Sequence, residues 1–176
     1  DSWFWLRSAH DDNSSWALFA QPGNSVYNDT VTTDHAVQPA SNLNLSSVLF
    51  ASSAKAASSD TVSGTLTDGT AMTLRFDGTG KDIGTVSYNA TTGDIKATKG
   101  STEGDVALVV QGKDGTNNWY YSKQITGSET VNASDIMSVI SLTSGIDLSA
   151  CKIWLETTDT DGMIYAIDET AIPDAP

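Results

Sequence analysis

The chain has 176 residues, 39% of them hydrophobic, and carries 22 Asp and Glu against 9 Lys and Arg, a formal net charge of −13. That length allows one large or two small domains with real cores. The charge excludes a nucleic-acid binder, which needs cations to neutralise phosphates, and equally a binder of anionic lipid; it suits a soluble surface exposed to the medium.

Helical periodicity is nearly absent and period-two alternation is nearly everywhere, so the chain reads as all-β. In residues 1–50, "SWFWLRS" and "SSWALFA" are short aromatic strands separated by the polar loops "AHDDN" and "QPGNSVYNDTVTTDH". "VQPASNLNLSSVLFASSA" follows as the closing seam of a domain: a Pro-marked turn, alternating Leu residues, an apolar strand and small-residue filler. Residues 51–60, rich in Ala and Ser, read as a linker.

From 61 to 172 the spacing is that of an antiparallel β-sandwich of about seven strands. "TAMTLRFD" sets Met72, Leu74 and Phe76 on one face and Thr73, Arg75 and Asp77 on the other. Met72, Leu74, Phe76, Leu108, Val110, Ile153 and Leu155 are therefore the expected core, and Leu74→Asp is expected to unfold the module. "GDVALVVQG" has apolar residues in both registers, so both of its faces are expected to be covered. "NNWYYSKQI" aligns Trp119, Tyr121, Lys123 and Ile125, and "CKIWLET" and "GMIYAID" read as the last hairpin. Asp68-Gly69, Asp77-Gly78, Asp114-Gly115 and Asp161-Gly162 offer the positive φ of tight turns. "SDIMSVISLTSG" is read as a helical turn capped by Ser134 or Asp135, or equally as a loop.

"WFWLRS" and, about thirty residues later, "AVQPASNLNLSSVLF" carry a resemblance. Together they resemble the W-L-R-S / V-R-P-A domain of secreted surface proteins from anaerobic Gram-positive bacteria, itself similar to the C-type-lectin-like and sulfatase-modifying-factor fold. In that family a β-sandwich module commonly follows. The resemblance implies a partial C-type-lectin-like region over 1–50, an Ig/fibronectin-like β-sandwich over 61–172, and an extracellular, cell-surface or cell-wall location. It also implies that only the latter half of the lectin-like domain is present, leaving a strand edge open beside Trp3, Phe4 and Trp5. Another copy of the chain, or a cleaved N-terminal segment, would complete that edge. Two motif positions depart: Gln38 stands where the family has Arg, and Ala9 where it has Pro.

Catalytic chemistry finds no support. His10, Asp11, Asp12 and Ser14 share one loop and Asp34 and His35 another, but no nucleophile elbow accompanies them, and His and Asp in polar loops are ordinary surface residues. The paired cysteines of the sulfatase-modifying relatives are missing, since Cys151 stands alone and reads as a small buried hydrophobe. Neither Gln21-Pro22-Gly23 nor Gln38-Pro39-Ala40 has the carboxylate a calcium loop needs, and "TDTDG" suits a hairpin turn. No metal and no cofactor is expected. The N-x-S/T triplets at Asn13, Asn28, Asn44, Asn89 and Asn132 read as chance rather than glycosylation, and no lysine is singled out for an isopeptide bond.

Aromatic faces suit sugar rings and protein hot spots alike. Trp3, Trp5 and Trp16 could line such a platform, although alternating strand aromatics also suit a core. The candidate ligand or partner contacts are Trp3, Trp5, His10, Asp11, Asp12, Tyr27 and His35, in and around loops 9–15 and 21–35. The expected function is a non-catalytic structural or adhesive subunit, assembling into fibres by strand addition. The alternative is a lectin-like module binding a cell-surface glycan or protein, with no nucleic acid and no membrane insertion.

Overall fold

The computed structural model describes residues 3–21, 25–37, 45–67 and 69–168, and the chain divides into two units, 1–43 and 44–176. In the first, the two aromatic segments form an antiparallel pair, β1 (Phe4–Ala9) and β2 (Trp16–Gln21). β3 (Ser25–Thr30) pairs antiparallel with β2, and the two-residue β4 (Ala36–Val37) lies parallel to β1. The sheet order is β3-β2-β1-β4.

Two expectations change here. The stretch 21–35 is not all loop, because it contains β3. "SVYNDT" sets Val26 and Tyr27 side by side, so it lacks the alternation that marks a strand, and its ladder with β2 defines it instead. Nor is the edge beside Phe4 and Trp5 open: β2 pairs on one side, through Ala20 and Phe19, and β4 on the other, through Ala36 and Val37. The Gln38-Pro39-Ala40 turn, Leu43, Pro22-Gly23 and Asp68 lie outside the described residues, as does the side chain of Arg7.

The second unit is built from β5 (Val48–Ser52), β6 (Val62–Leu66), β7 (Thr73–Asp77), β8 (Gly84–Asn89), β9 (Asp94–Lys99), β10 (Val106–Asp114), β11 (Asn117–Ile125), β12 (Ser128–Asn132), β13 (Lys152–Thr158) and β14 (Ile164–Asp168). One sheet runs β5-β7-β14-β13-β10-β11-β6 and the other β12-β9-β8. The larger sheet is mixed rather than antiparallel throughout. β14 leaves the β13 hairpin and pairs parallel with β7, and β7 pairs antiparallel with β5 at the sheet's edge.

Between the sheets, Leu108, Val110, Ile153 and Leu155 are buried, as their parity requires, with Ile95, Ala97, Val131 and Ile136 packed against them. Leu74 and Phe76 are half-buried, but Met72 precedes β7 and is 66% exposed. The larger correction is Arg75. Placed on the solvent face by alternation, it is 1% exposed.

The cause lies on the far face of the same sheet. Both registers of β10 are covered, and Ala107 and Val109 join Trp154, Tyr120, Leu66 and Ala166 in a second core. What covers that face is the segment expected to be a linker: Ser52 ends β5, and Ala54 and Ala57 are buried over the sheet. Alanine and serine suit this place because small side chains let the backbone lie close to the rings below. An irregular strap that is buried must find partners for its peptide groups. Arg75 Nη1 donates to the carbonyls of Ser52 and Thr73, and Nη2 to that of Ala54 at 2.6 Å. Ser122 Oγ accepts from Ala57 N at 2.7 Å. The guanidinium charge is met by Glu156, bonded through Nε at 3.0 Å and Nη2 at 3.3 Å, and Trp154 Nε1 also donates to that carboxylate.

Turn chemistry follows the acidic composition. Gly69, Gly115 and Gly162 have positive φ, as tight turns need, whereas Gly78 has φ −98° and precedes a short 3₁₀ turn. The helical turn is α1 (Ala133–Met137), capped by Asn132 rather than Ser134 or Asp135, with Asp135 reaching back to the Asn132 N–H as a capping box. Asp161-Gly162 turns the β13–β14 hairpin. Cys151 is buried, and desolvation pushes its thiol up to about 12.

Many carboxylates cap turns. Hydrogen bonds from Thr79, Ser101 and Ser149 hold Asp77, Asp82 and Asp147 below the usual carboxylate range, and the Thr143 N–H does the same for Asp114. A depressed folded value means that stability is fully present above the unfolded value, near 3.8 for these groups, and is lost as pH falls through the folded values. The urea midpoint, measured at constant ionic strength, is expected to be level from neutrality to about pH 5 and to fall below about pH 4. Asp114→Asn should make that fall shallower; an unchanged slope would count against the capping role.

Candidate functional site

The register of the first sheet gathers aromatic rings on one face. Trp5 pairs with Phe19 across β1–β2, and Phe19 with Tyr27 across β2–β3, so three rings stand in a row perpendicular to the strands. Trp3, two residues before Trp5, falls on the same side. Trp3 stacks on Phe19 with centroids 5.4 Å apart and planes 15° apart, and Phe19 stacks on Tyr27 at 6.0 Å and 29°. Trp5 meets Phe19 edge-on at 6.2 Å. Phe19 is buried, while Trp3 and Tyr27 are 45% and 52% exposed. The row therefore has a buried centre flanked by two half-exposed rings.

His35 closes one side of the row, with its ring 4.6 Å from Trp5 and 4.5 Å from Phe19. Its side chain is buried, and Nε2 lies 3.4 Å from Asp29 Oδ2 without making a hydrogen bond. The Thr30 N–H, donating at 2.7 Å, is the main cause that holds the Asp29 carboxyl below its ordinary range; Thr33 and His35 add to it. At neutral pH the site thus presents a carboxylate acceptor beside an aromatic surface.

Of the residues expected to make contacts, Trp3, Trp5, Tyr27 and His35 come together here. His10, Asp11 and Asp12 do not. They lie in the β1–β2 turn at the other end of β1, where the His10 ring packs edge-on against Trp16 at 5.6 Å and His10 Nδ1 accepts from the Asp12 N–H. Trp16, considered with Trp3 and Trp5 as a platform, is on the opposite parity of β2 from Phe19 and belongs to that turn. Phe19 and Asp29 were not foreseen. "WALFA" is apolar on both parities, so only the pairing of Phe19 with Trp5 and Tyr27 reveals its place, and Asp29 has no signal without β3.

In the second unit, a cleft of about 280 Å³ opens beside the strap, lined by residues that include Ser58, Asp105, Ala107, Glu156 and Thr157. Its carboxylates are already engaged, Glu156 by Arg75 and Trp154 and Asp105 by Gln124, and Thr157 Oγ1 donates to the Asp105 carbonyl. Among the described residues no three His, Cys, Asp or Glu side chains are grouped to hold a metal ion, and no helix is long and apolar enough to cross a membrane.

No protein-family model matches the chain, no curated protein is significantly similar to it, and no solved structure matches it.

Proposed function

We propose that the chain is a non-catalytic, extracellular adhesive protein of a bacterial cell surface, and that its contact surface is the aromatic row of the first unit. A neutral glycan is the ligand class that suits this surface best. The observation that carries the reading is the row itself: half-exposed Trp3 and Tyr27 each stack on buried Phe19, with Asp29 and His35 alongside. Flat ring faces match the C–H faces of a sugar ring, and a neighbouring carboxylate accepts from its hydroxyls. A net charge of −13 disfavours an anionic glycan. The resemblance to the lectin-like domain of secreted Gram-positive proteins points the same way and supplies the proposed location. A purely structural subunit is the reading that remains if no glycan binds.

The test is calorimetric titration with a panel of neutral cell-wall and host oligosaccharides. A contributing interface residue costs more than about 1 kcal/mol when truncated, so Trp3→Ala and Tyr27→Ala should each weaken binding about tenfold. His10→Ala, at the other end of β1, should leave binding unchanged. Absence of binding across the panel, or equal affinity of all three variants, would overturn the assignment.

A further inference from the structure

We propose that two copies of this chain associate through the outer edge of β3, pairing these strands antiparallel about a two-fold axis at Tyr27. β3 is one of the two end strands of its sheet and pairs only with β2 among the described residues. One hydrogen bond fixes which of its peptide groups face outward. Val31 N donates to Ser15 O at 2.9 Å, so the bonded pairs that follow are Asp29 with Ala17, Tyr27 with Phe19 and Ser25 with Gln21. The peptide groups of Val26, Asn28 and Thr30 then point away from the sheet. The Thr30 N–H is taken by the Asp29 carboxylate, whereas those of Val26 and Asn28 have no partner among the described residues.

Edges are usually blunted by lysine, proline or a bulge. β3, Ser-Val-Tyr-Asn-Asp-Thr, has no such residue, its register with β2 is unbroken, and Val26 and Tyr27 are 56% and 52% exposed. A second copy fits this edge because the strand is self-complementary about Tyr27. With the axis there, Val26 of each copy lies opposite Asn28 of the other, and each such pair exchanges both of its N–H···O bonds. Tyr27 faces its own counterpart as a non-hydrogen-bonded pair, the closer of the two pair types, which favours an aromatic contact. Asp29 falls opposite Ser25, so no carboxylate meets another. An axis moved one residue, to Asn28, would set Val26 against Thr30, whose N–H is already used. The Tyr27 axis engages the outward N–H groups of both Val26 and Asn28 in each copy, and it joins the two Trp5–Phe19–Tyr27 rows end to end. Such a contact is isologous and closes at two copies, unlike a head-to-tail strand exchange, which would give a fibre.

Sedimentation equilibrium of the full chain, at concentrations up to about 1 mM where even weak contacts are populated, tests this. A monomer–dimer equilibrium is expected. Val26→Pro and Asn28→Pro remove outward N–H groups that the sheet does not use, as edge prolines do; each should leave the chain monomeric with an unchanged far-ultraviolet spectrum. Should a proline disturb folding, Tyr27→Glu keeps the backbone intact and sets two carboxylates face to face across the axis, which should abolish the dimer. A parent that stays monomeric, a species larger than a dimer, or a dimer unaffected by the folded variants would overturn the proposal. The glycan reading is measured separately and stands or falls without it.

Discussion

Arg75→Ala is expected to lower the unfolding free energy by about 3–5 kcal/mol, read as a fall in the urea midpoint. The side chains of Arg75 and Glu156 are 1% and 0% exposed, so removing the cation leaves a carboxylate buried without its counter-charge. The same substitution also strips the donors from the carbonyls of Ser52 and Ala54 in the strap, and a buried acceptor left unmet costs about 1–3 kcal/mol. These two losses can be separated. Replacing Arg75 and Glu156 together by leucine removes both charges and should recover part of the stability, because an apolar pair can match a buried ion pair. It cannot restore the strap, so recovery should be incomplete. Leu74→Asp, which alternation alone makes the disruptive change, affects a half-buried residue and should cost less than Arg75→Ala. If Arg75→Ala melted like the parent, the strap would not be held as described.

The contrast between Leu74 and Arg75 shows what the sequence conveys and what it does not. Period-two alternation marks β7 and β11, runs of aromatic or apolar residues mark β1, β2, β13 and β14, and the doubly apolar β10 announces that both faces of its sheet are covered. Alternation says which residues share a face, not which face is buried, or by what. The far face is covered by Ala and Ser residues whose composition is that of a linker, and only their placement on Trp154 and Tyr120 explains why an arginine turns inward. The N-x-S/T triplets carry a related lesson. Asn13, Asn89 and Asn132 each accept a hydrogen bond from the backbone N–H two residues on, at Ser15, Thr91 and Ser134. They are turn and cap signals, a use that the glycosylation reading conceals. In the first unit, Trp3, Trp5, Tyr27 and His35 were legible as candidates because their residue types are. Their assembly was not, since it depends on β3 and on the pairing of Trp5 with Phe19 and of Phe19 with Tyr27. The edge expected to be open beside Phe4 and Trp5 is paired there with the two-residue β4, while β3 ends the sheet on the other side.

Gly84→Ala should destabilise the second unit by about 3–5 kcal/mol, combining backbone strain of about 1–3 kcal/mol with overpacking of similar size. Gly84 begins β8 with φ +139°, a conformation side chains rarely adopt. A Cβ there would stand 2.0 Å from the Thr98 carbonyl oxygen and 2.8 Å from Gly100 N. Both are backbone atoms, so no side chain can rotate away to make room. The approach is reciprocal, since a Cβ on Gly100 would stand 2.1 Å from the Asp82 carbonyl oxygen. Hydrogen bonds draw the two segments together at this crossing: Gly100 N donates to Ile83 O at 2.8 Å and Ser101 N to Asp82 Oδ2 at 3.2 Å. Ile83, 1% exposed, anchors the joint in the core between the sheets. An alanine at either glycine must therefore part the strands, move Ile83 and loosen the β12-β9-β8 sheet from its partner. Gly145→Ala is the control, because a Cβ there meets nothing within 4 Å and its φ is not positive; it should stay within about 0.5 kcal/mol of the parent. Comparing the urea midpoints of Gly84→Ala, Gly100→Ala and Gly145→Ala distinguishes close backbone approach from a general preference for glycine. Equal midpoints for the three would mean that the crossing is not as tight as the backbone places it.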